Sequence, residues 1–197
     1  MKKSILLLAL LVMIISEKAT AQNSMFSLNY AVSIPTGNTS DFIDQASGRG
    51  FIADFQVFTK RNIAIGGELG HFTLYKRELN KVYTEGTASL SGVQYRYQQS
   101  YPIFVTGTYF ATTEGSIKPY GTIGLGTVAH NRRIDMGIFS SEDTYWQFAL
   151  RPELGILIAP TETFGFKIGA KYYQSFSGGG LDSQSNIGLN FGFVFIN

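Results

Sequence analysis

The chain has no cysteine, five prolines in 197 residues and a charged fraction of only 15%. The missing cysteine excludes disulfide staples, thiolate metal sites and the acylated cysteine of a lipoprotein. Typical globular chains carry about 25% charged residues, so a surface built from this composition has few groups with which to face water. Long apolar runs are also lacking. The run Ile5–Ile15 is eleven residues, well short of the roughly 20 that a membrane-crossing helix needs.

That run follows Lys2 and Lys3 and precedes the small residues of Ala19-Thr20-Ala21. The order of positive charge, apolar stretch and small-residue site predicts a secretory signal over residues 1–21 and a mature domain over residues 22–197. Removing residues 1–21 leaves 13 basic and 13 acidic side chains. A mature chain without net charge gives no reason to expect a nucleic-acid partner.

What the chain does have is aromatic residues and glycine: 16 phenylalanines, 11 tyrosines, one tryptophan and 22 glycines. They fall into a period of two. Phe26, Leu28, Tyr30, Val32 and Ile34 alternate with Ser27, Asn29, Ala31 and Ser33, and Phe51, Ala53, Phe55 and Val57 alternate with Asp54 and Gln56. The same comb recurs over Ile63–Gly70, Trp146–Ile158 and Phe164–Tyr172, more weakly over Tyr95–Ala111 and Ile117–Arg132, and again in the uncharged tail Ser185–Asn197. Eight strands with one apolar edge each are predicted, and no segment of the mature chain has a helical period.

Short polar connections at Thr59–Asn62, Thr113–Ser116 and Pro160–Thr163 alternate with longer ones at Thr36–Gly50, Tyr75–Gly92, Ile134–Asp143 and Ser177–Gln184. An antiparallel up-and-down barrel then has every short turn at one end and every long loop at the other. The polar edges of the strands carry mainly Gly, Ala, Ser, Thr, Gln and Asn, which suits a narrow interior. Aromatics gather near strand ends, with Phe26, Tyr109, Tyr120, Phe164 and Phe195 at the turn end. Phe51, Phe72, Tyr97, Tyr145, Trp146, Tyr172 and Tyr173 gather at the loop end. Two such belts match two bilayer interfaces, so the apolar edges are expected to face lipid.

Two stretches carry a resemblance. Ile117–Gly126, IKPYGTIGLG, looks like the Pro-Tyr, glycine-rich fifth strand of the small outer-membrane β-barrel proteins of Gram-negative bacteria, the group that includes the OmpA transmembrane domain and OmpW-like proteins. In the tail, Asn186, Gly188, Phe191 and Phe193, with Phe195 beyond them, fit the spacing of that group's assembly signal. The chain departs from the group in ending on Ile196-Asn197 rather than on an aromatic. The resemblance implies an all-β, eight-stranded antiparallel transmembrane barrel in the outer membrane, both termini periplasmic, with outer-membrane lipid and the barrel-insertion machinery as partners.

Three places are candidates for chemistry. Asp54, Glu68, Arg96, Arg151, Glu153, Lys167 and Lys171 should point inward, where unpaired charges are costly and a cross-barrel ion network is expected. That network either fills the lumen or gates a narrow channel for ions or small apolar solutes. A lipid-modifying enzyme would need His71 or His130, with Asp135, Ser140, Ser141, Glu142 and Asp143 following the latter, but no His-x-Ser pair or other local signature of such enzymes accompanies them. The loops, with Asp41, Asp44, Arg49, Lys76, Arg77, Glu78, Lys81, Tyr83 and Glu85, are the place for an extracellular ligand.

Two histidines far apart do not make a metal site. Gly121, Gly124 and Gly126 lie on a strand with no helix to follow, so they do not form a dinucleotide fingerprint. The reading is of a non-enzymatic envelope protein without cofactors, its lumen largely filled, serving membrane integrity or surface interaction.

Overall fold

The computed structural model describes residues 24–85 and 88–197, without the side chains of residues 80–91. The expected signal segment and the side chains of Lys81, Tyr83 and Glu85 lie outside the described residues. Eight strands close into one antiparallel barrel in chain order. They are β1 (Ser24–Thr36), β2 (Arg49–Lys60), β3 (Ile63–Glu85), β4 (Ala88–Phe110), β5 (Ile117–Met136), β6 (Phe139–Ile158), β7 (Phe164–Ser175) and β8 (Gln184–Ile196). One short helix, α1 (Asn38–Phe42), lies between β1 and β2.

Closure joins the first and last strands, from Met25 opposite Ile196 to Thr36 opposite Ser185. Among the described residues the ring is closed at the level of the apolar band, which is what lets a sheet stand in a medium that cannot hydrogen-bond, whereas β3 runs on past β2 and β6 past β7 beyond it. The uncharged tail is therefore a closing strand. Its odd residues Ile187, Leu189, Phe191, Phe193 and Phe195 point outward and are exposed, while Gly188, Asn190 and Gly192 point inward. No helix among the described residues is long and apolar enough to cross a membrane.

The short turns fall where the sequence places them, but two of the long loops do not exist as loops. Tyr75–Gly92 is mostly paired strand, from Tyr75 opposite Tyr97 to Glu85 opposite Ala88. Ile134–Asp143 is a hairpin closed between Met136 and Phe139, with Gly137 at φ 61°. In these extensions the apolar edge is lost although backbone pairing continues, so a reading based on alternation stops too early. The segment Thr36–Gly50 holds α1, whose five residues are too few to show a helical period.

Inside, the side chains form layers. At the turn end lie Met25, Ala64, Phe110, Tyr120, Leu157 and Val194. Next come buried charges, then Ala31, Ile52, Phe104, Val128, Ala149 and Tyr173. A polar layer with Gln98, Ser100, His130, Gln147 and Ser175 follows, and α1 lies over it. Three aromatics expected in the interfacial belts belong to this interior: Phe72, Tyr120 and Tyr173 are buried, because their residue numbers share the parity of the inward positions. Phe26, Tyr109, Phe195, Phe51, Trp146 and Tyr172 do point outward.

Candidate functional site

Strand register brings the inward charges together. Asp54 on β2 stands opposite Glu68 on β3, and Glu153 on β6 stands opposite Lys171 on β7. Two like charges side by side would repel, so the acidic pair draws its partners from across the barrel. Arg151 reaches Glu68 at 2.9 Å and also pairs with Glu153. Lys171 lies 2.5 Å from Glu68, 3.7 Å from Glu153 and 3.9 Å from Asp54. Lys167 lies 3.4 Å from both Asp54 and Glu153.

Three acids thus meet three bases in a cluster whose side chains are at most 3% exposed. Ser27 and Asn29 each donate to Asp54 at 2.9 Å. The Tyr120 hydroxyl donates to Glu153 at 2.8 Å and that of Tyr173 to Glu68 at 3.2 Å. Sequence reasoning missed the two tyrosines as interior donors. The parity that turns Lys167 and Lys171 inward applies equally to Tyr173, so the signal was there.

Arg96, expected in this network, is not part of it. It points inward at the opposite end, beside Lys76 and Ile134 on its neighbouring strands, eight residues along β4 from Phe104 at the level of Glu68. At about 3.4 Å per residue that separation is about 27 Å, beyond the reach of any side chain. Arg96 instead pairs with Glu78 at 3.1 Å and donates to the Phe42 carbonyl of α1 at 3.1 Å.

Helix α1 is tied down from several sides. Thr39 donates to Gln184 at 2.9 Å and accepts from the Ser185 amide at 3.0 Å. The guanidinium of Arg132 lies 4.3 Å from the centre of the Phe42 ring. Lys76 reaches Asp44 at 3.0 Å just after the helix, and its hydrogen bond and charge hold that carboxyl below the ordinary carboxylate range.

The two histidines sit in different media. His130 points inward and is buried, with Nδ1 2.8 Å from the Ser100 hydroxyl and Nε2 3.2 Å from that of Ser175. The acids that follow it in sequence turn elsewhere: Asp135 accepts from Arg133 at 2.8 Å and from Ser140 at 2.6 Å, and Glu142 accepts from Asn131 at 2.8 Å. His71 points outward between Phe51 and Tyr101, with Thr73 3.0 Å from its Nε2. No group of three or more histidines and carboxylates among the described residues is arranged to hold a metal ion. A cavity of about 610 Å³ opens at the turn end, between Lys60, Arg61, Glu114 and Lys118 and an apolar floor of Phe110 and Leu157.

The family model described as outer membrane protein beta-barrel domain matches residues 5–195. Among solved structures, the attachment invasion locus protein Ail of Yersinia pestis is similar with a TM-score of 0.55 at 13% identity, covering 90% of this chain and 100% of Ail. Neisserial surface protein A gives 0.52 at 12% identity, over 89% of this chain and 97% of that one. The outer membrane protease OmpT of Escherichia coli gives 0.51 at 7% identity, over 92% and 100%. At these identities the likeness is one of fold, and the fold accommodates a protease as well as surface proteins. No curated protein is similar enough to the chain to match it.

Proposed function

The chain belongs to the outer membrane protein beta-barrel domain family, and on that premise we propose a non-enzymatic envelope protein whose lumen is filled by its own side chains and whose extracellular hairpins meet the surroundings. The observation that carries this reading is the six-charge cluster of Asp54, Glu68, Arg151, Glu153, Lys167 and Lys171. Its charges balance, it is buried, and it lies between an apolar layer on the periplasmic side and α1 on the extracellular side. Small barrels fill their interiors in this way, and a balanced, hydrogen-bonded network leaves no lone charge to attract a permeating ion.

Catalysis is disfavoured by access. Ser100 and His130 are within hydrogen-bond distance, but both are buried inside the barrel, and among the described residues the His130 ring is met by Gln98, Ser100 and Ser175 rather than by a carboxylate. A hydrolase needs an open site beside its nucleophile and base. His71 faces the lipid side between Phe51 and Tyr101, and its hydrogen-bond partner among the described residues is Thr73. The surface role is supported by β3 and β4, which run on beyond the apolar band as a paired hairpin. An Ail structure of the same fold holds the heparin analogue sucrose octasulfate, which supports looking for an extracellular ligand here.

The test is conductance of the folded barrel in a planar bilayer. Silence from protein that migrates differently before and after boiling is expected. Discrete, reproducible steps from the unaltered protein would replace the filled lumen by a channel. Lipase and protease assays of the unaltered, His71→Ala and His130→Ala proteins cover the enzyme reading. An activity lost in either variant would restore it.

A further inference from the structure

The outward face of the barrel is apolar up to a definite height on β3 and then changes character. From Ile63 to Thr73 the strand climbs about 26 Å along the barrel axis, at about 3.4 Å per residue and a tilt of about 40°, which is the height of a membrane barrel's apolar band. Directly above, Tyr75 and Arg77 point outward on β3, and Tyr95 and Tyr97 stand opposite them on β4. Arg49 joins from β2, opposite Thr73.

These side chains interleave. The Arg49 guanidinium lies 5.7 Å from the centre of the Tyr75 ring, Tyr75 stacks on Tyr95 at 6.4 Å, and Arg77 lies 5.8 Å from the Tyr95 ring. Tyr97 packs on Tyr75 at 5.1 Å. Neither Arg49 nor Arg77 has a carboxylate within ion-pair distance among the described residues. Nearby Arg133, on β5 opposite Tyr97, already has Asp135. On the other side of the barrel, β1 and β8 have no basic residue, and the two of β7, Lys167 and Lys171, are turned inward. The outward cations above the band are therefore confined to one sector.

Next to Arg49 and Tyr75 a cleft of about 390 Å³ opens on the outer surface, walled by Tyr30, Gln45, Ser47, Gly48, Arg49 and Tyr75. The absence of a side chain at Gly48 leaves room for the Tyr30 hydroxyl, which an added methyl would push aside. The cleft stands where the aromatic edge of the apolar band meets the first extracellular segment, beside lipid headgroups rather than in the open medium. Two guanidinium groups over rings, at headgroup height, match phosphate, which arginine grips through paired N–H groups. Flat aromatic walls match a saccharide ring.

We propose that Arg49, Tyr75, Tyr95 and Arg77, with the adjoining cleft, form a binding site for the phosphorylated sugar headgroup of an outer-leaflet glycolipid. This rests on the barrel crossing the outer membrane with its termini periplasmic. The site lies outside the lumen and is independent of whether the lumen conducts.

The probe is diphosphorylated lipid A, offered to the purified, folded barrel in detergent micelles, with its dephosphorylated form, inorganic phosphate and sucrose octasulfate as comparisons. Wild-type protein is expected to bind the phosphorylated form at least tenfold more tightly than the dephosphorylated one. Arg49→Gln/Arg77→Gln is expected to remove that preference while keeping the heat-dependent gel shift of the folded barrel. Tyr75→Ala, which leaves both charges, should weaken both lipids. Equal affinity of the double variant and wild type would overturn the proposal. So would displacement by inorganic phosphate or sucrose octasulfate as effective as by the lipid, which would make this a site for soluble anions. Failure of the premise reads differently: the folded protein would then not be recovered in the outer-membrane fraction of cells.

Discussion

Lys171 on β7 and Glu68 on β3 meet inside the barrel with Nζ 2.5 Å from Oε2, although 103 residues separate them in the chain. The contact exists only when the cylinder is closed, so it reports on the whole fold. Replacing Glu68 by alanine leaves Lys171 and Arg151 buried with one acid fewer. A loss of about 3–5 kcal/mol is expected, the usual cost of orphaning a buried charge. The double change Glu68→Met/Lys171→Met removes both charges and should recover most of that loss. Urea unfolding in lipid vesicles, followed by the gel shift, measures both. A double variant no more stable than Glu68→Ala would mean that the network is not a balanced unit.

Glycine sets how tightly the wall can curl. At Gly126 an added methyl would overlap the Ile103 carbonyl of β4, and at Gly66 the Phe55 carbonyl of β2. Both overlaps are with backbone, which cannot swing aside as a side chain can. Gly126→Ala should therefore cost several-fold in refolding yield into vesicles. Gly107→Ala, on the outer face with nothing within 4 Å, should refold like wild type. Similar yields for the two variants would contradict the packing described.

Much of this could be read before the structure, and what could not has a common cause. Where lipid lies on one side and a polar interior on the other, alternation marks every strand, as in Ile187–Phe195, and gives the number of strands and their order. Past the band neither side is apolar, so Tyr75–Glu85 and Ile134–Met136 read as loops although they are paired. Parity told which charges turn inward but not how high each one sits. That is why Arg96 was grouped with residues about 27 Å away. Parity already turns Tyr173 inward with Lys167 and Lys171, but an aromatic near a strand end suits an interface as well as an interior, and so Tyr120 and Tyr173 are read as belt residues. The cleft beside Arg49 depends on how residues 45–49 fold back on Tyr30, and no local pattern announces it.

The contact between Asp44 and Lys76 gives the segment between β1 and β2 a dependence on pH. The hydrogen bond from Lys76 lowers the Asp44 carboxyl below its ordinary value of 3.8. A carboxyl lowered in the folded state adds stability above its unfolded pKa and loses it as pH falls through the folded value. The tie is therefore whole at neutral pH and is lost only in acid, as the pH falls below 3.8 and through the lowered folded value. Hydrogen-exchange protection of residues 38–47, corrected for intrinsic rates, should drop between pH 6 and pH 3 in wild type. It should already be low, with little further change, in Lys76→Met. An equal drop in both would assign the acid response to other groups.

The tail combines two demands that one experiment can separate. Asn186 and Gly188 are explained by the interior: Asn186 donates to the Ser33 hydroxyl at 2.9 Å, and Gly188 faces the Tyr173 ring. Phe191, Phe193 and Phe195 point outward and pack on Phe164 and Phe166, with ring centres 5.7–6.5 Å apart for Phe164 with Phe195, Phe166 with Phe193 and Phe166 with Phe191. The unfolded barrel is in water, because unpaired backbone cannot stay in lipid, so removing one outward ring forfeits about 2 kcal/mol of transfer, a small part of what the many remaining outward apolar side chains supply. If these rings also serve recognition by the insertion machinery, the cost appears only in cells. Phe193→Ala is thus expected to refold into vesicles within twofold of wild-type yield, yet to lower the amount of folded barrel in the outer membrane several-fold. Loss in both settings would make Phe193 a packing residue, and loss in neither would remove the tail from assembly altogether.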